Sequence, residues 1–102
     1  MNKIIGGKRY DTKTAKCMGD WENGYAYNDP HYAAESLYRK RTGEFFLYGE
    51  GGAMTKYAET IADNLPDEGE RIIPLTDDEA KDWAESHLDA DKYKEICGLI
   101  EE

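Results

Sequence analysis

The clearest pattern of apolar and polar positions lies in the last quarter of the chain. Thr76 is followed three residues later by Glu79, the capping box that begins many helices. From there apolar residues recur at helical spacing over residues 77–88, and a second run with the same spacing covers residues 90–100. The two apolar stripes are Ala80, Trp83, Ala84 and His87, and then Tyr93, Ile96, Cys97 and Ile100. The sequence therefore predicts two amphipathic C-terminal helices.

Shorter apolar runs earlier in the chain predict strands. Residues 3–10 read KIIGGKRY, two short runs around a Gly-Gly turn, which is typical of a β-hairpin. Residues 71–75 read RIIPL, an apolar strand in which Pro74 marks an end or an edge of the sheet. Weaker patterns predict a capped helical turn between Asp11 and Gly19, a strand through Tyr25 and Tyr27, and a short helix over residues 56–64.

Residues 37–52, LYRKRTGEFFLYGEGG, predict a second hairpin at the centre of the sheet. We take Thr42-Gly43 as its two-residue loop. That register pairs Arg41 with Glu44, Arg39 with Phe46, and Leu37 with Tyr48. Leu37, Arg39, Phe46 and Tyr48 would then share one face, with the arginine stem over an aromatic ring. The cations of this stretch would stabilise the hairpin and would not bind nucleic acid.

Together these elements predict one α+β domain over residues 1–102. We expect an antiparallel sheet of about four or five strands, with the two C-terminal helices packed on one face. A chain of 102 residues can bury one modest core. The predicted core consists of Ile4, Ile5, Tyr10, Leu37, Phe46, Tyr48, Ile72, Ile73, Leu75, Trp83, Tyr93, Ile96 and Ile100.

The charge of the chain is unevenly distributed. The net charge is −9, and residues 1–50 carry eight Lys/Arg against seven Asp/Glu, whereas residues 51–102 carry five against fifteen. The two parts therefore have charges of +1 and −10. A concentrated negative field repels nucleic acid and steers cationic partners towards it. We expect a protein partner with a basic surface and no direct binding of nucleic acid.

Two stretches are candidates for the contact with that partner. On the polar side of the first helix, Asp78, Asp82, Glu85 and Asp89 form a row whose charges are ~5 to 6 Å apart, comparable to the phosphates of nucleic acid. Such a row could occupy a nucleic-acid-binding groove as a decoy. The alternative contact is the second hairpin and the glycine loop after it, namely Phe45, Tyr48, Glu50, Gly51 and Gly52. This loop lacks the GK[ST] order of a Walker A phosphate loop.

The sequence offers little for catalysis or metal binding. Its cysteine and histidine residues show no zinc-ligand spacing, and we expect Cys17 and Cys97 to be reduced thiols. Cys17, His31 and Asp29 could form a hydrolase triad, but no flanking motif supports one. We therefore expect no catalytic residues, no metal and no cofactor.

The beginning of the chain, MNKIIGGKRY, lacks the apolar run of about seven or more residues found in signal peptides. No run approaches the ~20 apolar residues that span a bilayer. We expect a cytoplasmic protein that does not bind membranes.

Four segments carry a resemblance to a known group of proteins: GKRYDTKTA, SLYRKRTGEFFLYGEGG, TKYAE and IIPLTDDEAKDWAE. They resemble a family of small, mostly uncharacterised acidic proteins of phages and other bacterial mobile elements. Some small acidic proteins from that setting inhibit host defence, including anti-CRISPR inhibitors of Cas9, and this chain is similar to them in size and charge. The resemblance implies a non-enzymatic inhibitor of a host protein such as a Cas nuclease. A structural or regulatory interaction module and a small enzyme are the alternatives.

Overall fold

A computed structural model describes residues 1–62 and 65–97, and within them strands precede two helices. The strands are β1 (Asn2–Ile5), β2 (Lys8–Asp11), β3 (Lys16–Glu22), β4 (Ala33–Arg39), β5 (Phe45–Gly51), β6 (Glu59–Ala62), β7 (Leu65–Asp67) and β8 (Gly69–Leu75), and the helices are α1 (Asp77–His87) and α2 (Ala90–Cys97). β3, β4, β5 and β8 form an antiparallel sheet in that order, while β1 pairs with β2 and β6 pairs with β7. The predicted α+β class and antiparallel sheet of about four or five strands are confirmed, with four strands in the main sheet.

The first hairpin follows its local sequence. Gly6 and Gly7 have φ angles of 59° and 79°, the two consecutive positive values that a tight hairpin turn requires. Ile5 pairs with Lys8 across this turn. Pro74 lies in β8, which is an edge strand of the four-stranded sheet, as predicted. An edge position suits proline because it has no N–H to donate to a further strand.

The helices begin where the sequence predicts. The side chain of Thr76 accepts from the Glu79 N–H at 3.2 Å, and the Glu79 carboxylate accepts from the Thr76 N–H at 2.9 Å, which completes the capping box. Ala80, Trp83 and Ala84 are buried, and His87 is partly buried against the ring of Trp21. Ile96 of α2 is also buried. The remainder of the predicted second helix, with Ile100, lies outside the described residues.

The four-stranded sheet is covered on both faces. On one face α1 and α2 pack through a cluster that contains Leu37, Phe45, Leu47, Ala80, Trp83, Ala84 and Ile96. On the other face the β1–β2 hairpin packs through a cluster that contains Tyr10, Phe46 and Ile72. We call these the helix face and the hairpin face. Ile4 was predicted to be in the core but is 63% exposed, because residues alternate along a strand and Ile5 and Tyr10 take the inner side.

The predicted register of the central hairpin is wrong by one residue. In the structure Leu37 pairs with Leu47 and Tyr38 pairs with Phe46. The loop is longer than two residues, because the Gly43 N–H donates to Lys40 O at 2.9 Å and Gly43 has a φ of 92°. A three-residue loop that ends in a left-handed glycine is a standard alternative to the two-residue turn.

The shift in register moves side chains between faces. Phe46 and Tyr48 lie on the hairpin face, whereas Leu37 lies on the helix face, so the predicted shared face does not exist. Arg39 does cover an aromatic ring, with its guanidinium carbon 5.3 Å from the centre of the Phe45 ring. The Lys40 ammonium lies 3.8 Å from the centre of the Tyr10 ring, so these two cations contact the fold.

Three weaker predictions of local structure are also wrong. Glu59–Ala62 is strand β6 and not part of a helix over 56–64. A single turn does begin at Asp11, because the Ala15 N–H donates to Asp11 O at 3.1 Å, but β3 begins at Lys16, so the predicted end of this turn at Gly19 is wrong. Tyr25 and Tyr27 lie in turns and not in a strand. A sequence pattern of nine residues or fewer is a weak predictor of secondary structure. A short helix has little stability of its own, and pairing with a neighbouring strand can override the helical preference.

Candidate partner-binding site

The acidic row of α1 lies on the outer side of the helix. Asp78, Asp82 and Glu85 are exposed because the opposite side of α1 is buried against the sheet, and Asp89, which follows the end of α1, is exposed as well. Among the described residues, none of these four carboxylates takes part in an ion pair. The structure therefore places the predicted row in solvent, without a direct ion pair among the described residues.

Asp89 has a second role in the fold. Its side chain accepts from the Lys92 N–H at 2.9 Å, and its carbonyl accepts from the Tyr93 N–H at 2.9 Å. These are the bonds of a helix N-cap, and Asp89 immediately precedes α2. One of the four carboxylates thus stabilises α2, while Asp78, Asp82 and Glu85 have no such bond to another element.

The alternative contact surface is divided by the sheet. Phe45 is only 8% exposed, in the core of the helix face. Tyr48 and Glu50 lie on the hairpin face and are partly exposed, and Gly51 is buried. The structure therefore does not bring Phe45 to the same surface as the remaining residues of this candidate site.

The glycines at the end of β5 are explained by packing. A Cβ at Gly49 would collide with the ring of Tyr57, and one at Gly51 would collide with the side chain of Thr55. A Cβ at Gly52 would overlap the backbone of Pro30. The loop of residues 52–58 therefore lies directly on the sheet, and Tyr57 is 2% exposed.

A buried carboxylate that the sequence analysis missed lies beside this loop. Glu35 in β4 is 5% exposed and accepts from Trp83 Nε1 at 3.0 Å, from the Tyr57 hydroxyl, and from Lys56 Nζ at 2.9 Å. We call these four residues the Glu35 cluster. It joins β4, the loop of residues 52–58 and α1. The alternation of Glu35 with Leu37 along one strand was the signal for its inward position.

The charge states in the Glu35 cluster follow from its hydrogen bonds. Burial raises the pKa of Glu35, but the hydrogen bonds from Tyr57, Lys56 and Trp83 outweigh burial and leave this pKa below its usual value. Burial and the bond to Glu35 raise the pKa of the Tyr57 hydroxyl. Glu35 is therefore an ionised acceptor and Tyr57 a protonated donor. A carboxylate with three donors has a structural role that accounts for its burial.

The structure does not assemble the triad of Cys17, His31 and Asp29. His31 Nδ1 lies 3.1 Å from Asp29 Oδ1, but His31 is held next to Asn23, whose side chain donates to the His31 carbonyl at 2.7 Å. Cys17 lies at the opposite end of β3, six positions or about 20 Å along the strand. Partial burial and Asp20 raise the pKa of the Cys17 thiol, which disfavours the reactive thiolate.

Both cysteines are free thiols, as expected. Over residues 1–62 and 65–97, no three His, Cys, Asp or Glu side chains are grouped so that they could hold a metal ion. Within the same ranges, neither helix has the length and apolar character needed to cross a membrane.

Comparison with protein-family models, with curated proteins and with solved structures finds no match to this chain. A function is therefore argued from the geometry and charge of the chain.

Proposed function

We propose that the protein is a non-enzymatic inhibitor from a phage or mobile element, which binds a basic surface of a host protein through the acidic row of α1. The observation that carries this proposal is the exposure of Asp78, Asp82 and Glu85 on one side of a helix, with no ion pair to a described cation. They belong to residues 51–102, whose net charge is −10.

The physical basis is long-range attraction. A one-signed surface raises the association rate with a basic partner, and the effect weakens as salt screens it. Carboxylates at i, i+4 and i+7 are ~5 to 6 Å apart on a rigid helix, which resembles a row of phosphates. The partner would then be a cytoplasmic protein with a nucleic-acid-binding groove, and a Cas nuclease fits this description.

A non-enzymatic role is supported by the state of the titratable groups. Glu35 is buried and fully hydrogen-bonded, so it is not available to a substrate. Cys17 and His31 are at opposite ends of β3. Neither arrangement provides a nucleophile next to a base, which covalent catalysis requires.

The proposal is tested with a row variant that carries Asp78→Asn, Asp82→Asn and Glu85→Gln. A pull-down from cells that express candidate nucleases first identifies the target. We expect the row variant to bind this target at least about tenfold more weakly at low salt, with a smaller salt dependence, because it lacks the steering charges. Asp89 is left unchanged so that the cap of α2 is kept.

A matched control variant removes three exposed carboxylates from other surfaces: Glu22→Gln, Asp67→Asn and Glu95→Gln. Both variants have a net charge of −9 + 3 = −6. An equal loss of binding in the row variant and the control variant would indicate that binding depends on net charge alone. It would contradict a specific role for the acidic row. Unchanged affinity of the row variant would reject the row as the contact. Binding that leaves the target's activity intact would indicate an interaction module without an inhibitory role.

A further inference from the structure

A cleft of about 450 Å³ opens on the hairpin face, where β5 ends and β8 begins. Its walls come from separate parts of the chain: Glu50 and Glu70 from the sheet, Glu59 and Glu68 from the region of β6 and β7, and Tyr27 and Tyr32 from the loop before β4. This cleft and the acidic row of α1 are on opposite faces of the four-stranded sheet. They are therefore two separate acidic surfaces.

The carboxylates in the floor of the cleft are arranged unfavourably for the isolated protein. Glu50 and Glu70 are directly opposite each other in the register of β5 and β8. Like charges at such a position destabilise a sheet. Both carboxylates reach the Tyr48 hydroxyl, which has a single proton and can donate to one carboxylate at a time. Lys3 and Met1, whose α-ammonium donates to Thr12 Oγ1 at 2.8 Å, also line the cleft, so the four carboxylates outnumber the cations there.

The tyrosines add a second and different feature. The rings of Tyr27 and Tyr32 have their centres 5.3 Å apart at an angle of 60°, so they form an angled wall. Tyr27 is 73% exposed, so its ring is accessible to a ligand from solvent. Aromatic faces beside carboxylates attract organic cations by the cation–π interaction.

The carboxylates do not converge as a metal site does. A spread of carboxylates around an aromatic wall suits a larger, planar cation. A guanidinium group can donate to two adjacent carboxylates through its fork of N–H groups and can stack on a tyrosine ring, whereas an ammonium group does neither as well.

We propose that this cleft binds the guanidinium group of an arginine side chain presented by the protein partner. The inference rests on the proposed function only for the class of partner, a protein with a basic surface. The contact itself is distinct from the acidic row of α1. Binding would place a positive charge between Glu50 and Glu70 and would relieve their repulsion.

The test uses the isolated full chain, so it needs no identified partner. Protein labelled with ¹⁵N is titrated at low ionic strength with the peptide acetyl-Gly-Arg-Gly-amide. We expect chemical-shift changes centred on the amides of Gly51, Gly52 and Gly69, with a dissociation constant on the order of 1 mM. The matched peptide has citrulline in place of arginine and has the same shape without the charge. It should cause no comparable change.

A cleft variant that carries both Glu50→Gln and Glu70→Gln tests whether these two carboxylates bind the arginine peptide. The amide oxygens can still accept from Tyr48, so the fold is kept. We expect this variant to bind the arginine peptide at least about fivefold more weakly, while its melting temperature holds or rises because a like-charge pair is removed. A purely structural role for the pair would instead lower the melting temperature and leave peptide binding unchanged.

The row variant of α1 is the control, because it removes three carboxylates from the other face. It should bind the arginine peptide within about twofold of the original chain once ionic strength is matched. Equal responses to the arginine and citrulline peptides, or equal weakening in the cleft and row variants, would overturn the proposal. Failure of the cleft in this assay leaves the partner-binding experiment on the row unaffected, so the two proposals can fail separately.

Discussion

At the scale of single residues, Glu35 has the largest structural consequences. It is the buried carboxylate among the described residues, and its partners Tyr57 and Trp83 are 22 and 48 positions away in the chain. Removing one member of a buried network leaves the others without partners, and that cost exceeds the value of an ordinary hydrogen bond. The Glu35 cluster therefore controls how α1 and the loop of residues 52–58 attach to the sheet.

We predict that Glu35→Ala lowers the free energy of unfolding by about 3 kcal/mol, because Trp83 Nε1 and the Tyr57 hydroxyl lose their acceptor. Glu35→Gln should cost less, about 1 to 2 kcal/mol, since its amide can replace part of the network. Urea unfolding measures both values. Glu85→Ala, on the exposed side of α1, is the control and should change stability by no more than about 0.5 kcal/mol. A similar small effect of Glu35→Ala would contradict the structural role of the cluster.

At the scale of elements, β5 owes its shape to the loop that lies on it. Gly49 allows the ring of Tyr57 to lie against the strand backbone, and Gly69 allows the same loop to pass close to β8. Glycine in the middle of a strand is otherwise unfavourable, so its presence reflects the close approach of another segment. The glycine loop noticed in the sequence is therefore a packing feature, and only its end contributes to the acidic cleft.

We predict that Gly49→Ala lowers the free energy of unfolding by about 2 kcal/mol or more, because the new Cβ and the buried Tyr57 ring cannot occupy the same space. Tyr57→Leu removes the Cζ, Oη and Cε1 atoms that the Cβ would meet. In a chain that carries Tyr57→Leu, Gly49→Ala should therefore lower the free energy of unfolding by clearly less. A double-mutant cycle measured by chemical unfolding gives this difference, and strict additivity of the two substitutions would show that the steric explanation is incorrect.

At the scale of the whole molecule, negative charge is concentrated where partners can reach it. The sheet separates two acidic surfaces, the row on α1 and the cleft on the hairpin face. A net charge of −9 on 102 residues favours solubility but destabilises the folded chain by self-repulsion. Binding of a basic partner would reduce that repulsion at either surface.

We predict that raising NaCl from about 20 to 300 mM increases the melting temperature by about 2 to 5 °C, because salt screens repulsion between exposed carboxylates. The row variant should melt higher than the original chain at low salt and should respond less to added salt. Scanning calorimetry at matched pH measures both effects. A melting temperature that falls with salt would mean that attractive ion pairs, such as Lys8 with Glu44, dominate over the net charge.

The sequence by itself determined the features that depend on neighbouring residues. The capping box of Thr76 and Glu79, the Gly6-Gly7 turn and the apolar stripe of α1 each involve interactions within a few positions. Such interactions form in nearly any tertiary context. The α+β class and the exposed acidic row followed from these elements and from the distribution of charge.

Only the tertiary structure decided the remaining features, because each depends on which of several possible strand pairings the chain adopts. The loop closed by Gly43 set the register of β4 and β5, so that Leu37 and Phe46 lie on opposite faces. Pairing with β7 made Glu59–Ala62 a strand in place of a helix. The inward turn of Glu35 and the opposition of Glu50 and Glu70 arise from strand pairing and packing. A periodic pattern in a single chain carries no information about which distant side chain will be the neighbour.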